Sequence, residues 1–266
     1  MIETPKLTEE RIKEYLKEGK RFDERKLDEF REISIETNIS KNAEGSAKVK
    51  IGKTEVIVGV KMDVSTPYAD SPNKGNLMVT AELLPLSSQK FESGPPRFPS
   101  IELARVIDRG IRESKYIDFE KLCIKEGEKV WTVFIDIYSI NDAGNLLDAA
   151  GLGALVALNN AKIPKYDEKE EKVLYGEHTK DSLPLAKEVP ISISVHKIGN
   201  SLIVDPNIEE EEISEMRLTV ASSNGTIFAM QKGNLKEVEV EELYKMLDIV
   251  EKTEREILKK LEKFIK

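Results

Sequence analysis

The first third of the chain carries the period-two pattern of apolar and polar residues that is typical of half-buried strands. Apolar residues alternate with polar ones over Ile33–Ile39 and again over Ala47–Ile51. A short turn at Gly52 and Lys53 then leads into Thr54–Met62, which predicts a β-hairpin. A sheet is therefore expected before the middle of the chain.

Helical patterns occur at four places. Leu7–Lys17 predicts an N-terminal helix with Thr8 as its N-cap, and a second helix is expected from Ser100 to about Tyr116. Leu147–Asn160 is rich in small apolar residues, and a long charged helix, Val240–Phe264, closes the chain. Further strands are predicted at Leu77–Leu86, Ile191–Lys197, Ser201–Val204, Arg217–Ala221 and Thr226–Gln231.

These elements predict an α+β protein of two similar β-rich lobes with packed helices. The expected division is an N-terminal helix over residues 1–19, a first lobe over 20–161 and a second lobe with the closing helix over 189–266. Residues 162–188 are charged and contain two prolines, so we expect a long surface connection there.

The most informative stretch is Ile135–Asn160, in which a buried strand with apolar residues from Val130 to Tyr138 leads into the turn Asn141–Asn145 and a helix. A strand, a glycine turn and a helix start can bind an anion, because the N–H groups of the first helical turn point outward. An active phosphate site usually adds a hydroxyl or a cation, whereas this helix begins Leu146-Leu147-Asp148. The pattern predicts a phosphate-site scaffold that lacks its chemistry.

Composition excludes several classes of protein. The 266 residues carry a net charge of −8, so any RNA contact must come from a local basic patch. A single cysteine, Cys123, and the absence of a long apolar run favour a cytoplasmic protein without a membrane span. His178 and His196 do not have zinc-ligand spacing, so no metal site is expected. The acidic run Glu209–Glu212 is expected to be a solvated loop, with metal binding as the alternative.

One basic cluster remains as candidate chemistry. Arg105, Arg109 and Arg112 follow each other at spacings of four and three residues, which places them on one face of the second helix. Guanidinium groups suit phosphate oxygens, so the cluster is a candidate RNA-binding site. The alternative is a surface stripe in which the arginines pair with neighbouring acids, namely Glu102, Asp108 and Glu113.

The order of these features resembles the RNase PH family of phosphorolytic RNases. The segment Gly19–Arg25, the helix around Glu102–Arg109 and the stretch from Ile135 to Gly151 each resemble the family's corresponding segments. Active members have a Gly-Gly-Thr/Ser-Arg type of turn, where this chain has Ala143-Gly144-Asn145-Leu146. They also carry a catalytic aspartate in the second half, and Glu215 is the candidate for that position here.

The resemblance, which covers roughly Lys20 to the end of the chain, implies a particular subgroup: the catalytically inactive RNase PH-like subunit of the archaeal exosome. In that family the inactive subunit alternates with an active paralogue in a ring of three heterodimers, with cap proteins above it, and single-stranded RNA reaches phosphorolytic sites carried by the partner. The family's RNA-binding arginines correspond to Arg105 and Arg109, with Arg112 as a third candidate. No catalytic residue, cofactor or metal is implied for this chain.

Two alternatives stay open at this point. The chain could be an active phosphate-dependent 3′–5′ exoribonuclease in which Asn145, nearby N–H groups and Glu215 have unusual roles. It could also be a purely structural scaffold whose arginines form only surface ion pairs.

Overall fold

The structure is a computed structural model that describes residues 4–265. Residues 1–3 and 266, which the predicted segments 1–19 and 189–266 include, lie outside the described residues. Two larger sheets and one hairpin account for all strands in the described part of the chain.

The first sheet has six strands, and β6 (Lys129–Asn141) is central to it. The order is β1-β2-β3-β6-β4, and the short β5 pairs with the start of β6. Only β4 runs parallel to its neighbour; the other pairs are antiparallel. The remaining strands are β1 (Ile33–Thr37), β2 (Gly45–Ile51), β3 (Thr54–Ser65), β4 (Asn76–Leu83) and β5 (Cys123–Lys125).

The second sheet has four antiparallel strands in the order β10-β9-β11-β12. Its strands are β9 (Ile191–Ile198), β10 (Ser201–Val204), β11 (Met216–Ser223) and β12 (Thr226–Gly233). Between the two sheets in sequence lies an antiparallel hairpin, β7 (Lys162–Asp167) and β8 (Lys172–Ser182). The long surface connection expected over 162–188 thus contains this hairpin, which the sequence did not predict because β8 is mostly exposed and lacks an alternating apolar face.

Two helices lie between the sheets. In α3 (Leu146–Asn160) every residue from Leu146 to Leu158 is buried, because the helix packs against β2 and β3 on one side and β9 on the other. Beside it, α2 (Phe98–Glu113) packs on β4 and against β12. The small residues of α3 are explained by this close packing between two sheets.

The closing helix α5 (Val240–Leu261) covers the opposite face of the second sheet. Side chains of β9 and β11 alternate between the two faces, and Ser222 and Lys197 reach Glu254 and Glu242 of α5. Helix α1 (Lys6–Lys17) packs Ile12 and Leu16 against Ile198 and Ile203 at the edge of this sheet.

Helix starts differ from the predicted ones. Pro5 precedes the first residue of α1, so Thr8 lies inside the first turn and is not the N-cap. Helix α2 begins two residues before Ser100, with Pro99 in its first turn, where a missing N–H costs nothing. The acids Glu209–Glu212 belong to the short helix α4 (Ile208–Glu212), so the predicted loop is wrong.

We expect Gly45→Ala to lower the free energy of unfolding by about 3 kcal/mol, because strand β2 touches the end of α3 there. A Cβ atom at Gly45 would lie 2.3 Å from the carbonyl oxygen of Ala157 and 2.6 Å from the amide nitrogen of Ala161, and neither backbone atom can move alone. Gly59→Ala is the matched control in the same sheet, since its nearest neighbour would be the Ala43 Cβ at 3.9 Å.

Urea unfolding measures both variants. The control is expected to change the free energy of unfolding by no more than about 1 kcal/mol. Equal effects of the two substitutions would contradict the packing of β2 on α3.

Candidate nucleic-acid interface

The turn before α3 has the backbone geometry of an anion site. Gly144 and Asn145 both have positive φ, at 93° and 63°, so the chain reverses sharply into the helix. Gly144 also lies against the backbone after β10, where a Cβ would come within 2.5 Å of the Asn207 carbonyl carbon. Only glycine fits this position without strain, because both the φ angle and the space demand it.

A carboxylate already occupies this helix start. The backbone N–H of Asn145 donates a hydrogen bond to Glu211 Oε2 at 3.0 Å, and the N–H of Gly144 donates to Asp142 Oδ1 at 3.1 Å. Glu211 comes from α4, which the second lobe places against the turn. Internal carboxylates therefore accept hydrogen bonds from two N–H groups at this turn that could otherwise bind a phosphate.

Two further carboxylates surround the Asn145 side chain. Its Nδ2 donates to Asp148 Oδ2 at 3.1 Å and to Asp205 Oδ1 at 2.9 Å. Asp148 is fully buried, and it also accepts hydrogen bonds from the hydroxyl and the N–H of Ser194 in β9, at 2.7 and 3.2 Å. The side-chain amide of Asn145 is thus fully engaged as a donor inside the protein.

The electrostatics of the turn oppose anion binding. Burial raises the pKa of Asp148 to about 7. Burial also raises the pKa of Glu211 to about 7, and the charge of Asp142 adds to this effect. Because burial is the main cause of both shifts, this turn disfavours negative charge on any group placed there, including a phosphate.

Arginine side chains in this region are directed at Asp205 rather than at an open pocket. Arg31 binds Asp205 through two nitrogens, at 2.6 and 2.8 Å, and donates to the carbonyl oxygens of Ala143 and Gly144. Although burial alone would raise the pKa of Asp205, its hydrogen bonds with Arg31 and the charge of that arginine lower it. Arg31 therefore stabilises the turn by linking its carbonyl oxygens to Asp205.

Glu215, the sequence candidate for the family's catalytic acid, does not lie at this turn. Its carboxylate pairs with Lys236 and lies 3.7 Å from Lys13 Nζ. The acid that the fold brings to the turn is Glu211, in the run that the sequence analysis expected to be a solvated loop. Glu210 of the same run is buried and pairs with Arg21, with one Nε–Oε1 distance of 2.9 Å. The sequence signal that could have located this helix is the capping box that Asn207 and Glu210 form at its start.

The three arginines of α2 lie on the helix surface, but their surroundings differ. Arg112 forms two hydrogen bonds with Asp108, at 2.6 and 3.0 Å, and one with the carbonyl oxygen of Leu77. Arg109 pairs with Glu113 at 2.5 Å, yet its side chain is 58% exposed. The predicted pairing with neighbouring acids is thus present for Arg112 and Arg109.

Arg105 differs from both. Within residues 4–265 its guanidinium has no hydrogen-bond or ion-pair partner, and the side chain is exposed. Arg105 and Arg109 line two grooves, one of about 730 Å³ towards β4 and one of about 400 Å³ towards β12. We call this ridge between the two grooves the arginine ridge (Arg105 and Arg109). It offers a polyanion the unpaired guanidinium of Arg105 and the exposed guanidinium of Arg109, which is paired with Glu113.

Known proteins match this chain over most of its length. Residues 29–164 match the 3′ exoribonuclease family, domain 1, and residues 188–252 match domain 2 of the same family. The exosome complex component Rrp42 of Methanosarcina acetivorans is 46% identical over 87% of this chain and 84% of that protein. The Rrp42 of Archaeoglobus fulgidus is 48% identical over 82% of this chain and 81% of that protein.

The chain belongs to the RNase PH family and, within it, to the Rrp42 exosome components. A chain from the Archaeoglobus fulgidus exosome with RNA bound to the active site superposes with a TM-score of 0.89 at 41% identity, covering 97% of this chain and 98% of that one. A chain of an archaeal exosome core gives 0.83 at 38% identity, covering 96% of each chain. The expected α+β, RNase PH-like fold is confirmed.

The described residues 4–265 contain no group of three or more His, Cys, Asp or Glu side chains placed to hold a metal ion. In the same residues no helix is long and apolar enough to cross a membrane. The sequence analysis identified the helix start and the arginine ridge. It missed Glu211, Asp205 and Arg31, because their contacts join segments that are far apart in the chain.

The raised pKa of Glu211 gives a pH-dependent prediction. A carboxylate whose folded pKa exceeds its unfolded value destabilises the fold increasingly as pH rises from the unfolded pKa to the folded one. Glu211→Gln keeps an acceptor for the Asn145 N–H and removes the charge. We expect this variant to be more stable than the parent by about 1–3 kcal/mol at pH 8 and by much less near pH 4.5.

Glu212→Gln is the neighbouring control. Although burial raises the pKa of Glu212, hydrogen bonds from Lys90 and Thr4 lower it overall, so this substitution should destabilise the protein at pH 8. Urea unfolding at the two pH values measures both variants. A Glu211→Gln variant without a stability gain at pH 8 would contradict the unfavourable burial of charge at the turn.

Proposed function

We propose that this chain is a non-catalytic subunit of an archaeal exosome core ring. It supports 3′–5′ phosphorolytic RNA degradation by binding RNA and completing the active site of its active RNase PH-like partner. The observation that carries the proposal is the contrast between two sites. The anion site at the start of α3 is filled by Glu211, while Arg105 on the surface has no partner among the described residues.

The absence of phosphorolytic activity follows from electrostatics. Phosphoryl transfer depends on preorganised positive charge and hydrogen-bond donors around the transferred group. Here the turn donates to Asp142 and Glu211, and the nearest arginine, Arg31, is bonded to Asp205. Inorganic phosphate would have to displace an internal carboxylate and approach three others, so the alternative of an active exoribonuclease is disfavoured.

RNA binding follows from the arginine ridge. Arg105 and Arg109 are four residues apart on α2, so both guanidinium groups can contact one RNA backbone. Such contacts hold a single strand without reading its sequence. Arg112 contributes less, because Asp108 already binds it through two hydrogen bonds and its side chain is only 40% exposed.

Positioning RNA for a neighbour is itself a catalytic contribution, because a held substrate reacts as if it were very concentrated. We infer a ring of three heterodimers with the active paralogue, cap proteins that bind this ring, and a cytoplasmic location. The exosome relatives at 38–48% identity support this assembly. No cofactor or metal is required of this chain.

The first test is activity. The purified chain alone should release no nucleoside diphosphates from RNA and inorganic phosphate, because the donors of its anion site are already used. The mixture with the active partner should be at least as active as the partner alone. Phosphate-dependent release by the isolated chain, free of contaminating nuclease, would refute the non-catalytic assignment.

The second test is the arginine ridge in the assembled complex. Arg105→Glu combined with Arg109→Glu should weaken RNA binding and slow phosphorolysis, because attraction to phosphate becomes repulsion. Each lost phosphate contact should lower the log–log salt slope of binding by roughly 0.7 for a single strand. Affinity at several salt concentrations, with ring mass checked by light scattering, measures this.

Arg255→Glu combined with Lys259→Glu provides the matched control. These exposed residues are also four apart on a helix, α5, and their substitution changes the net charge equally. Equal losses in both double variants would assign the effect to total charge, and an unchanged salt slope in an intact ridge variant would favour the purely structural scaffold.

A further inference from the structure

The freedom of Arg105 needs an explanation, because an acid lies within reach of it. Glu102 precedes Arg105 by three residues on α2, and residues at this spacing are neighbours on a helix surface. Arg109 and Arg112 are each paired with an acid four residues away on the same helix. Without another influence, Arg105 and Glu102 would be expected to pair in the same way.

Glu102 is instead held by an arginine from the second sheet. Nη2 of Arg217 in β11 donates to Glu102 Oε1 at 2.6 Å. The two side chains are only 12% and 16% exposed, so solvent screens this ion pair weakly. Arg217 thus crosses from the second sheet to α2 and withdraws the Glu102 carboxylate from the helix surface.

The fold makes room for this arrangement. Gly233 is the cross-strand partner of Arg217 in β12. A Cβ atom at Gly233 would lie 2.7 Å from Arg217 Nη2 and 2.9 Å from its Cζ. The guanidinium therefore rests over a position where any larger residue would force it to move.

The surroundings of Glu102 show what removal of Arg217 would cause. The pocket beside Glu102 and Arg217 is also lined by three acids, Asp142, Glu211 and Glu212, and by Lys90, which is already paired with Glu212. A Glu102 carboxylate left in this pocket without its arginine would face like charges at low exposure, which is unfavourable. The nearest unpaired cation on the same helix is Arg105, so the carboxylate would turn outward to it.

We propose that Arg217 is a positioning residue for RNA binding: it sequesters Glu102 and so keeps Arg105 free for an RNA phosphate. This inference rests on the proposed role of the arginine ridge. Arg217 itself does not contact RNA in this account; it acts through Glu102. The unpaired state of Arg105 then depends on Arg217, which lies in strand β11 of the second lobe.

A double-mutant cycle in the complex with the active partner tests the proposal. Arg217→Gln should lower RNA affinity by about three- to tenfold and reduce the log–log salt slope by roughly 0.7, because Glu102 then neutralises Arg105. Glu102→Gln combined with Arg217→Gln should restore affinity and slope to within about twofold of the parent. Arg217→Lys should retain most of the affinity, since the ion pair can form again.

A purely structural role of Arg217 predicts a different result. Removal of both partners would then weaken RNA binding as much as Arg217→Gln alone. Lys197→Gln is the control for loss of a half-buried ion pair in the same sheet, since Lys197 pairs with Glu242 on the opposite face and should leave RNA affinity unchanged. Parent affinity in Arg217→Gln, or failure of the double variant to restore it in an intact ring, would overturn the proposal.

Should Arg217→Gln fail to assemble, the exchanged pair Glu102→Arg with Arg217→Glu keeps the ion pair and removes the acid three residues before Arg105. This variant should bind RNA at least as tightly as the parent, and weaker binding would overturn the proposal.

Failure of the proposed function can be distinguished from failure of the proposed role of Arg217. If Arg105→Glu with Arg109→Glu leaves RNA binding unchanged, the ridge itself is refuted, whereas an effect there without one in the cycle refutes only the role of Arg217.

Discussion

The contact on which the rest of the structure depends is the ion pair between Asp205 and Arg31. Asp205 is fully buried at the end of β10, and it accepts hydrogen bonds from Arg31, Arg25 and Asn145. Arg31 in turn binds the turn carbonyls before α3. One carboxylate therefore joins two segments of the first lobe, the one before β1 and the turn before α3, to the second lobe. A buried charge of this kind is costly to leave without its partner.

The ion pair between Asp205 and Arg31 also determines what the start of α3 can bind. By fixing the turn against the second lobe, the Asp205 contacts bring Glu211 to the Asn145 N–H. The Asn145 N–H, which could bind a phosphate, is then bonded to the Glu211 carboxylate, whose pKa is raised. Among the three arginines of α2, Arg105 is the one without an ion-pair partner in residues 4–265. Under the proposed function, the chain separates two tasks that phosphorolysis requires: it retains the contact with RNA and gives up the contact with phosphate.

The sequence predicted the parts of this fold that depend on local patterns. Alternating residues located β1–β3, and the small-residue run located α3, because both reflect burial of one face or of a whole helix. The hairpin β7–β8 was missed because its strands are exposed and charged, and the start of α1 was misplaced by the preference of threonine for N-caps. Arginine spacing predicted a shared face, but only the structure shows that Glu102 pairs with Arg217 and leaves Arg105 free.

The central claim is that this chain contributes RNA binding but no phosphate site to the complex. The most direct measurement is the number of inorganic phosphate sites in the assembled ring, obtained by equilibrium titration with ³¹P NMR or calorimetry in the absence of RNA. The account predicts one phosphate site for every two RNase PH-like chains, because only the partner's helix start is open. One site for every chain would show that Glu211 does not exclude phosphate and would contradict the account.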